Sequence, residues 1–179
     1  QDMRVGGTCV HYGTIPSKTI RESALALVNC KQRCAEFFHL HMREDVQVPN
    51  LMSRLQRVVQ EHEHYMGEQL QRSNVVQRHG RARFVSPHTV RILTPDGSVT
   101  EVRGDTIVIA TGSRPRTPPE IPVDHEHILD SDSMLSLIYL PTSLTVLGSG
   151  VIACEYASIF AALGVQVTMI DRYERPLGF

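Results

Sequence analysis

Between Leu144 and Asp171 the sequence reads LTVLGSGVIACEYASIFAALGVQVTMID, and its residue types and order define a chemistry. Gly148, Ser149 and Gly150 form a Gly-x-Gly-x-x-Ala pattern that closes on the small residue Ala153. A first glycine permits a tight turn, and a second lets a pyrophosphate approach the backbone. A small residue in third place lets a helix pack closely on its strand. The N–H groups that open such a helix, aided by its dipole, bind phosphate. The flanks agree with this pattern. Leu144–Leu147 reads as a strand, Ile152, Ile159 and Phe160 as apolar helical positions, Gly164 as a helix end, and Val165–Ile170 as a second strand. Together they predict a dinucleotide-binding βαβ unit. Asp171, at the end of its second strand, can accept both ribose hydroxyls of NAD and repels the 2′-phosphate of NADP. Arg172 and Arg175 follow at once, and guanidinium groups suit phosphate. Asp171 therefore leans towards NAD, while Arg172, otherwise a solvated loop charge, leaves NADP open.

Other reactive residue types carry weaker signals. Cys30 and Cys34 share one face of a predicted helix, near His39 and His41. They are read as buried free thiols rather than metal ligands. His62-Glu63-His64 points its two imidazoles to different helix faces, unlike a zinc-binding HExxH, and reads as solvated surface. Cys154 is read as a packing residue of the phosphate-binding turn. His125 and His127 fall in a linker with no partner evident from sequence.

The elements that must position these groups follow from periodicity. The opening, Gln1 to Pro16, is rich in glycine and small residues and is expected as a loop. A helix is expected from Ser17, its N-cap, with Ile20, Ala24, Leu27 and Val28 about a turn apart and continuing towards Phe37 and Phe38. A polar stretch from Met42 to Pro49 breaks it. A second helix follows Asn50, with Leu51, Leu55, Val58, Val59, Met66 and Leu70 on one face, and ends near Ser73-Asn74. Short β-rich runs come next at Val75-Val76, Ala82–Val85, Thr89–Leu93 and Val99–Val102, the last two joined by the turn Pro95-Asp96-Gly97-Ser98. Thr106–Ala110 reads as a buried strand. Pro115, Pro118, Pro119 and Pro122 mark a linker, and Ser131–Leu140 a short helix. The order predicts an α/β fold with a domain boundary in the proline-rich linker.

Composition narrows the class. The 179 residues are 41% hydrophobic and 21% charged, and 18 Lys and Arg against 19 Asp and Glu leave a net charge of −1. That balance gives no electrostatic case for nucleic acid or a membrane surface as partner. No apolar run reaches the roughly 18 residues of a membrane span, and no leader pattern opens the chain. Four cysteines form neither a disulfide scaffold nor a common zinc spacing. A soluble, cytoplasmic protein is expected.

The segment GGTCVHYGTIPSK, Gly6 to Lys18, resembles the redox loop of the flavin-dependent pyridine nucleotide–disulfide oxidoreductases, whose usual pattern is GGTCxNxGCxPSK. GRARF at 80–84, TIVIATGSRP at 106–115 and GSGVIACEYA from 148 follow in the family's order. The resemblance covers essentially the whole chain. It implies a Rossmann-like flavoprotein with two dinucleotide-binding domains, both incomplete here. Residues 1–115 would belong to an FAD-binding domain lacking its N-terminal GxGxxG unit. Residues 116–140 would form a linker and short helix, and 141–179 the first βαβ of an NAD(P)-binding domain. The missing parts would include the family's dimerisation domain, so the intact protein is expected to be a homo-oligomer.

One departure carries information. Cys9 stands at the first redox position, but Thr14 stands where the family has its second cysteine. A dithiol relay needs both thiols, so disulfide reduction by this pair is excluded. What survives is hydride exchange between flavin and nicotinamide. The combination resembles the branch of the family that passes hydride between NADPH and NAD through FAD. Two other readings stay open: a single-thiol flavin NAD(P)H oxidase or peroxidase using Cys9, and an inactive partial nucleotide-binding module. Carried over residue by residue, the resemblance places Thr8 and Cys9 against FAD and Lys18 near the flavin edge or phosphates. It places Ala82 beside the adenine, and Thr111, Gly112 and Ser113 in the turn closing on FAD. Gly148, Ser149, Gly150, Ile152, Ala153, Glu155, Asp171 and Arg172 would line NAD or NADP. Without that role, Lys18 is a solvent lysine and Glu155 an exposed acid stabilised by the helix dipole. No metal ligand set is expected.

Overall fold

The computed structural model describes residues 4–37 and 48–178, apart from the side chains of residues 31 and 34–37. From Gly7 the opening is largely helical rather than a loop. A short helix α1 spans Gly7–His11, and α2 runs over Thr14–Phe37. Gly6 turns the chain into α1 at φ +101°, where an added Cβ would strike the Val10 side chain. Ser17 is not the N-cap of α2, because its N–H already donates to the Gly13 carbonyl at 3.1 Å. Pro16 sits within the first turn. N–H groups there have no intrahelical acceptor, so proline loses nothing.

Helix α3 spans Val48–Arg72 and so begins before Asn50, with Pro49 again in a first turn. Most of the expected polar break lies outside the described residues. The C-terminus of α3 is as expected. Asn74 adopts φ +54°, its N–H donates to Gln71 O, and that of Val75 donates to Leu70 O. Those two bonds form a Schellman motif that satisfies the last carbonyls. The N-terminal half of the apolar face is covered, through Leu51, Met52, Leu55 and Val59. Met66, further along, is exposed.

Strands β1 (Arg81–Ser86), β2 (Thr89–Leu93) and β3 (Val99–Arg103) form an antiparallel sheet in chain order. Arg81 pairs with Leu93, and Leu93 with Val99. Val75-Val76 forms no strand. Thr106–Ala110 also differs from expectation. It is not a strand, and Val108 and Ile109 are 82% and 71% exposed. A strand exists only through its ladder, and no described segment pairs with this run.

After the linker, the expected helix at Ser131–Leu140 contracts to a 3₁₀ turn, Ser133–Ser136. The Asp130 carboxylate accepts the N–H groups of Asp132 and Ser133, and Leu137 is already extended. β4 (Ser143–Leu147), α4 (Val151–Ala162) and β5 (Gln166–Ile170) then form the βαβ unit, with β4 and β5 parallel in register from Ser143–Gln166 to Leu147–Ile170. Helix α4 ends in a second Schellman motif, in which Gly164 N–H meets Ala161 O and Val165 N–H meets Phe160 O. The chain is thus mixed α/β.

One core joins the helices: Ile20 and Ala24 of α2, Leu55 of α3, Ile159 of α4 and its C-cap Leu163. A second cluster of Tyr156, Phe160 and Val165 takes up Met134, Leu137 and Leu140 beside the 3₁₀ turn, together with Leu144 and Val167 of the strands. Helix α4 is therefore held against α2 on one side and its own strands on the other. Its N-terminus projects beside the start of α2.

Candidate functional site

Where β4 gives way to α4, Gly148 adopts φ +103°, a conformation that suits glycine, and its N–H donates to Ile170 O at 2.8 Å. Gly150 is the N-cap residue of α4. A Cβ built on Gly148 or Gly150 would meet no heavy atom within 4 Å, so the space over the turn is open. Open glycine backbone at the start of a twelve-residue helix fits a pyrophosphate.

Ser149 is buried, and its hydroxyl donates to Asp171 Oδ2 across the tips of β4 and β5. Asp171 Oδ1 accepts the Tyr173 N–H at 3.1 Å. The Ser149 hydroxyl first, and the Tyr173 N–H after it, hold the Asp171 carboxyl below its ordinary 3.8. Ser149 is anchored through its own carbonyl, which accepts Leu177 N–H at 2.9 Å and the Cys154 thiol at 3.3 Å. Cys154, half-buried in the first turn of α4, is tied to the glycine-rich turn through this bond. Arg172 does not face open solvent alone: its guanidinium lies 4.7 Å from the Tyr173 ring centroid and donates to the Tyr173 hydroxyl at 2.7 Å.

Two further pairs join segments far apart in sequence. Lys18 Nζ forms an ion pair with Glu155 Oε1, linking the first turns of α2 to the first turns of α4. Glu155 is therefore no exposed acid, since its side chain is only 18% exposed, and Lys18 is no lone solvent lysine. Thr8 Oγ1 donates to the Ser113 carbonyl at 3.2 Å, and Gly112, at φ +73°, turns its Cα face to that hydroxyl. The turn 111–113 is thereby seated on α1. Cys9 on α1 is an exposed free thiol, and Thr14 begins α2.

Not every expected residue joins these clusters. Ala82 lies in the antiparallel sheet opposite Ile92. Thr111 and Ile152 are exposed. Cys30 is exposed rather than buried, because it lies on α2 beyond the part that α3 and α4 cover; the Cys34 side chain and the stretch holding His39 and His41 lie outside the described residues. His64 pairs with Glu68 on the open face of α3. No group of three or more metal-ligating side chains occurs among the described residues. Two features escaped the sequence reading. Tyr173 holds the acid through its N–H and Arg172 through its ring and hydroxyl, and an aromatic beside Arg172 is the available signal. Asp124 accepts the N–H groups of Glu126, His127 and Ile128 at 2.8–2.9 Å, which lowers its carboxyl to about 2. It organises the linker loop and gives His127 a partner at 4.0 Å.

The family model described as pyridine nucleotide-disulphide oxidoreductase matches residues 2–179. The chain belongs to this family. A protein of Mycobacterium bovis named soluble pyridine nucleotide transhydrogenase is 42% identical over 98% of this chain. One of the same name from Colwellia psychrerythraea is 40% identical over 98% of it. The chain spans 38% of the length of each. Among solved structures, LpdA of Mycobacterium tuberculosis superposes with a TM-score of 0.85 at 29% identity, over 99% of this chain and 39% of that one. The HOCl-induced flavoprotein disulfide reductase RclA of Escherichia coli follows at 0.77 and 27%, over 99% of this chain and 36% of its own.

Family membership brings FAD and a nicotinamide nucleotide as expected bound groups. The open Gly148–Gly150 turn with Asp171 fits a nucleotide. Among the described residues, no helix is long and apolar enough to cross a membrane.

Proposed function

We propose that the protein containing this chain transfers hydride between NADPH and NAD with FAD as intermediary carrier, in the manner of a soluble transhydrogenase. The observation that carries this reading is Thr14 standing where a second redox thiol is needed, with Cys9 left as a free thiol. A threonine hydroxyl cannot form or accept a disulfide, so electrons have no route to a disulfide substrate through this pair. The chemistry supplied by bound FAD is two-electron carriage: hydride enters from one nicotinamide and leaves to the other.

The residues of the chain bind and orient. Gly148, Ser149, Gly150 and Ala153 form the turn that takes the nucleotide pyrophosphate at the α4 N-terminus, with Ile152 on its rim. Asp171 accepts the adenosine ribose hydroxyls, and Arg172 stands beside it for a 2′-phosphate. Thr8, Cys9, Thr111, Gly112 and Ser113 line the flavin side, with Ala82 near the adenine. Lys18 and Glu155 fix the opening helices against α4, so that the flavin and nicotinamide surfaces adjoin. Hydride transfer needs stacking and alignment more than a proton-transfer residue, which suits a site with no obligate acid or base.

Residues 1–115 serve the FAD domain, 116–140 link, and 141–179 open the NAD(P) domain. The 38–42% identical relatives bearing the transhydrogenase name support the reading. The test is exchange by the full-length protein between NADPH and an NAD analogue with no disulfide present, repeated in Cys9→Ser. Retained exchange in the variant supports transhydrogenation. Oxygen or peroxide consumption that vanishes in Cys9→Ser, without exchange, supports the single-thiol oxidase instead.

A further inference from the structure

The end of β5 poses a problem of charge. Asp171 is held ionised by Ser149 and Tyr173, and an ionised carboxylate opposes a 2′-phosphate. The cation next to it, Arg172, is engaged elsewhere. One of its terminal nitrogens donates to the Tyr173 hydroxyl at 2.7 Å, and its guanidinium carbon lies 4.7 Å from that ring's centroid. Tyr173 thus acts on both neighbours. Its backbone N–H occupies one lone pair of Asp171 Oδ1, and its side chain occupies Arg172. A carboxylate has about four lone-pair sites. Ser149 and Tyr173 take two of these, and the backbone N–H groups of Arg172 and Ser149 also bear on the carboxylate.

We propose that Tyr173 is a specificity-determining residue, holding Arg172 in a parked position in which the site accepts adenosine with a free 2′-hydroxyl, and that release of Arg172 from the ring admits a 2′-phosphate. The inference rests on the nucleotide-binding reading of this βαβ unit and deepens it. Arg172 and Tyr173 are both exposed, so the guanidinium swings without unpacking any core residue. An exposed cation–π contact with one hydrogen bond is weak enough for a phosphate dianion to compete with, since bidentate Arg–phosphate pairing is the stronger interaction. A site with two cation positions is one physical means of accepting both nucleotides by turns.

The experiment is calorimetric binding of 5′-AMP and of 2′,5′-ADP to the full-length protein, unsubstituted and as Tyr173→Ala, Tyr173→Phe and Arg172→Ala. Neither probe carries a nicotinamide, so turnover does not enter. Tyr173→Ala should raise affinity for 2′,5′-ADP by about three- to tenfold, the worth of the lost parking contact, and change 5′-AMP by less than about twofold. Tyr173→Phe, which keeps the ring and loses the hydroxyl, should fall between. Arg172→Ala should weaken 2′,5′-ADP by about tenfold or more and spare 5′-AMP. Unchanged or weakened 2′,5′-ADP binding in Tyr173→Ala, with 5′-AMP still bound, overturns the parking role alone. Binding of neither probe by the unsubstituted protein overturns it together with the nucleotide-site reading.

Discussion

Lys18 and Glu155 stand 137 positions apart and form an ion pair between the first turns of α2 and α4. The contact joins the opening segment, which carries Cys9 and Thr14, to the helix that begins at the glycine-rich turn. Lys18 is about half exposed, while Glu155 is largely covered, so the lysine shields an acid that water reaches poorly. In the full-length protein, a double-mutant cycle of Lys18→Met and Glu155→Gln should give a coupling of about 0.5–1 kcal/mol by urea unfolding. Each single variant should also lower the exchange rate by about tenfold or more at saturating nucleotide, because helix alignment sets the approach of the two rings. Additive stabilities with unchanged turnover would contradict the pairing.

Ile159 is 1% exposed and lies where α2, α3 and α4 meet. Truncation there removes packing from three helices at once. Ile159→Ala should cost about 2–5 kcal/mol, measured by denaturant unfolding of the full-length protein. An equivalent change at exposed Met66 should cost little.

The elements legible in the sequence are those whose backbone partners lie close in the sequence. The βαβ unit, the β1–β3 meander and the end of α3 each satisfy their backbone groups locally, and periodicity and glycine placement located them. Thr106–Ala110 has the composition of a buried strand yet pairs with no described segment, because composition reports suitability for a ladder and not the presence of one. The opening differs from expectation for another reason. Its glycines suggested loop, whereas Gly6 serves as the turn into α1 and Pro16 is harmless in a first turn. At the candidate site, Asp171 and Glu155 stood out by type and position. Their partners Ser149 and Lys18 were picked out separately, and only the fold pairs them. Nothing in the type of Tyr173 marks its role, which lies in contacts with Asp171 and Arg172.

The Ser149–Asp171 bond predicts a pH dependence. The Asp171 carboxyl lies below 3.8, so its contribution to stability is fully present above that value and is lost as pH falls through the lowered one. Ser149→Ala removes the largest cause of the lowering. Carbon-13 titration of Asp171 should then show its midpoint move up towards 3.8. An unmoved midpoint would show that the Tyr173 N–H alone holds the carboxylate.

Tyr156 supplies the opposite sign at alkaline pH. Burial, with Glu155 and Asp132 adding to it, pushes its phenol from 10 up to about 12. The folded state therefore retains a proton that the unfolded chain releases. Stability from this group is complete below pH 10 and declines as pH rises through about 12, by roughly 2–3 kcal/mol in total. Tyr156→Phe should abolish that decline while altering neutral stability by about 1 kcal/mol or less. A variant with the same alkaline slope as the unsubstituted protein would contradict the burial account.

The most direct test of the central claim is anaerobic exchange by the purified full-length flavoprotein, mixing NADPH with thio-NAD and following the reduced analogue's absorbance in the absence of any disulfide. The account predicts steady formation of reduced analogue matched by NADPH loss, with exchange still present in Cys9→Ser. Absence of exchange, with turnover appearing only when a disulfide substrate is added, would contradict it.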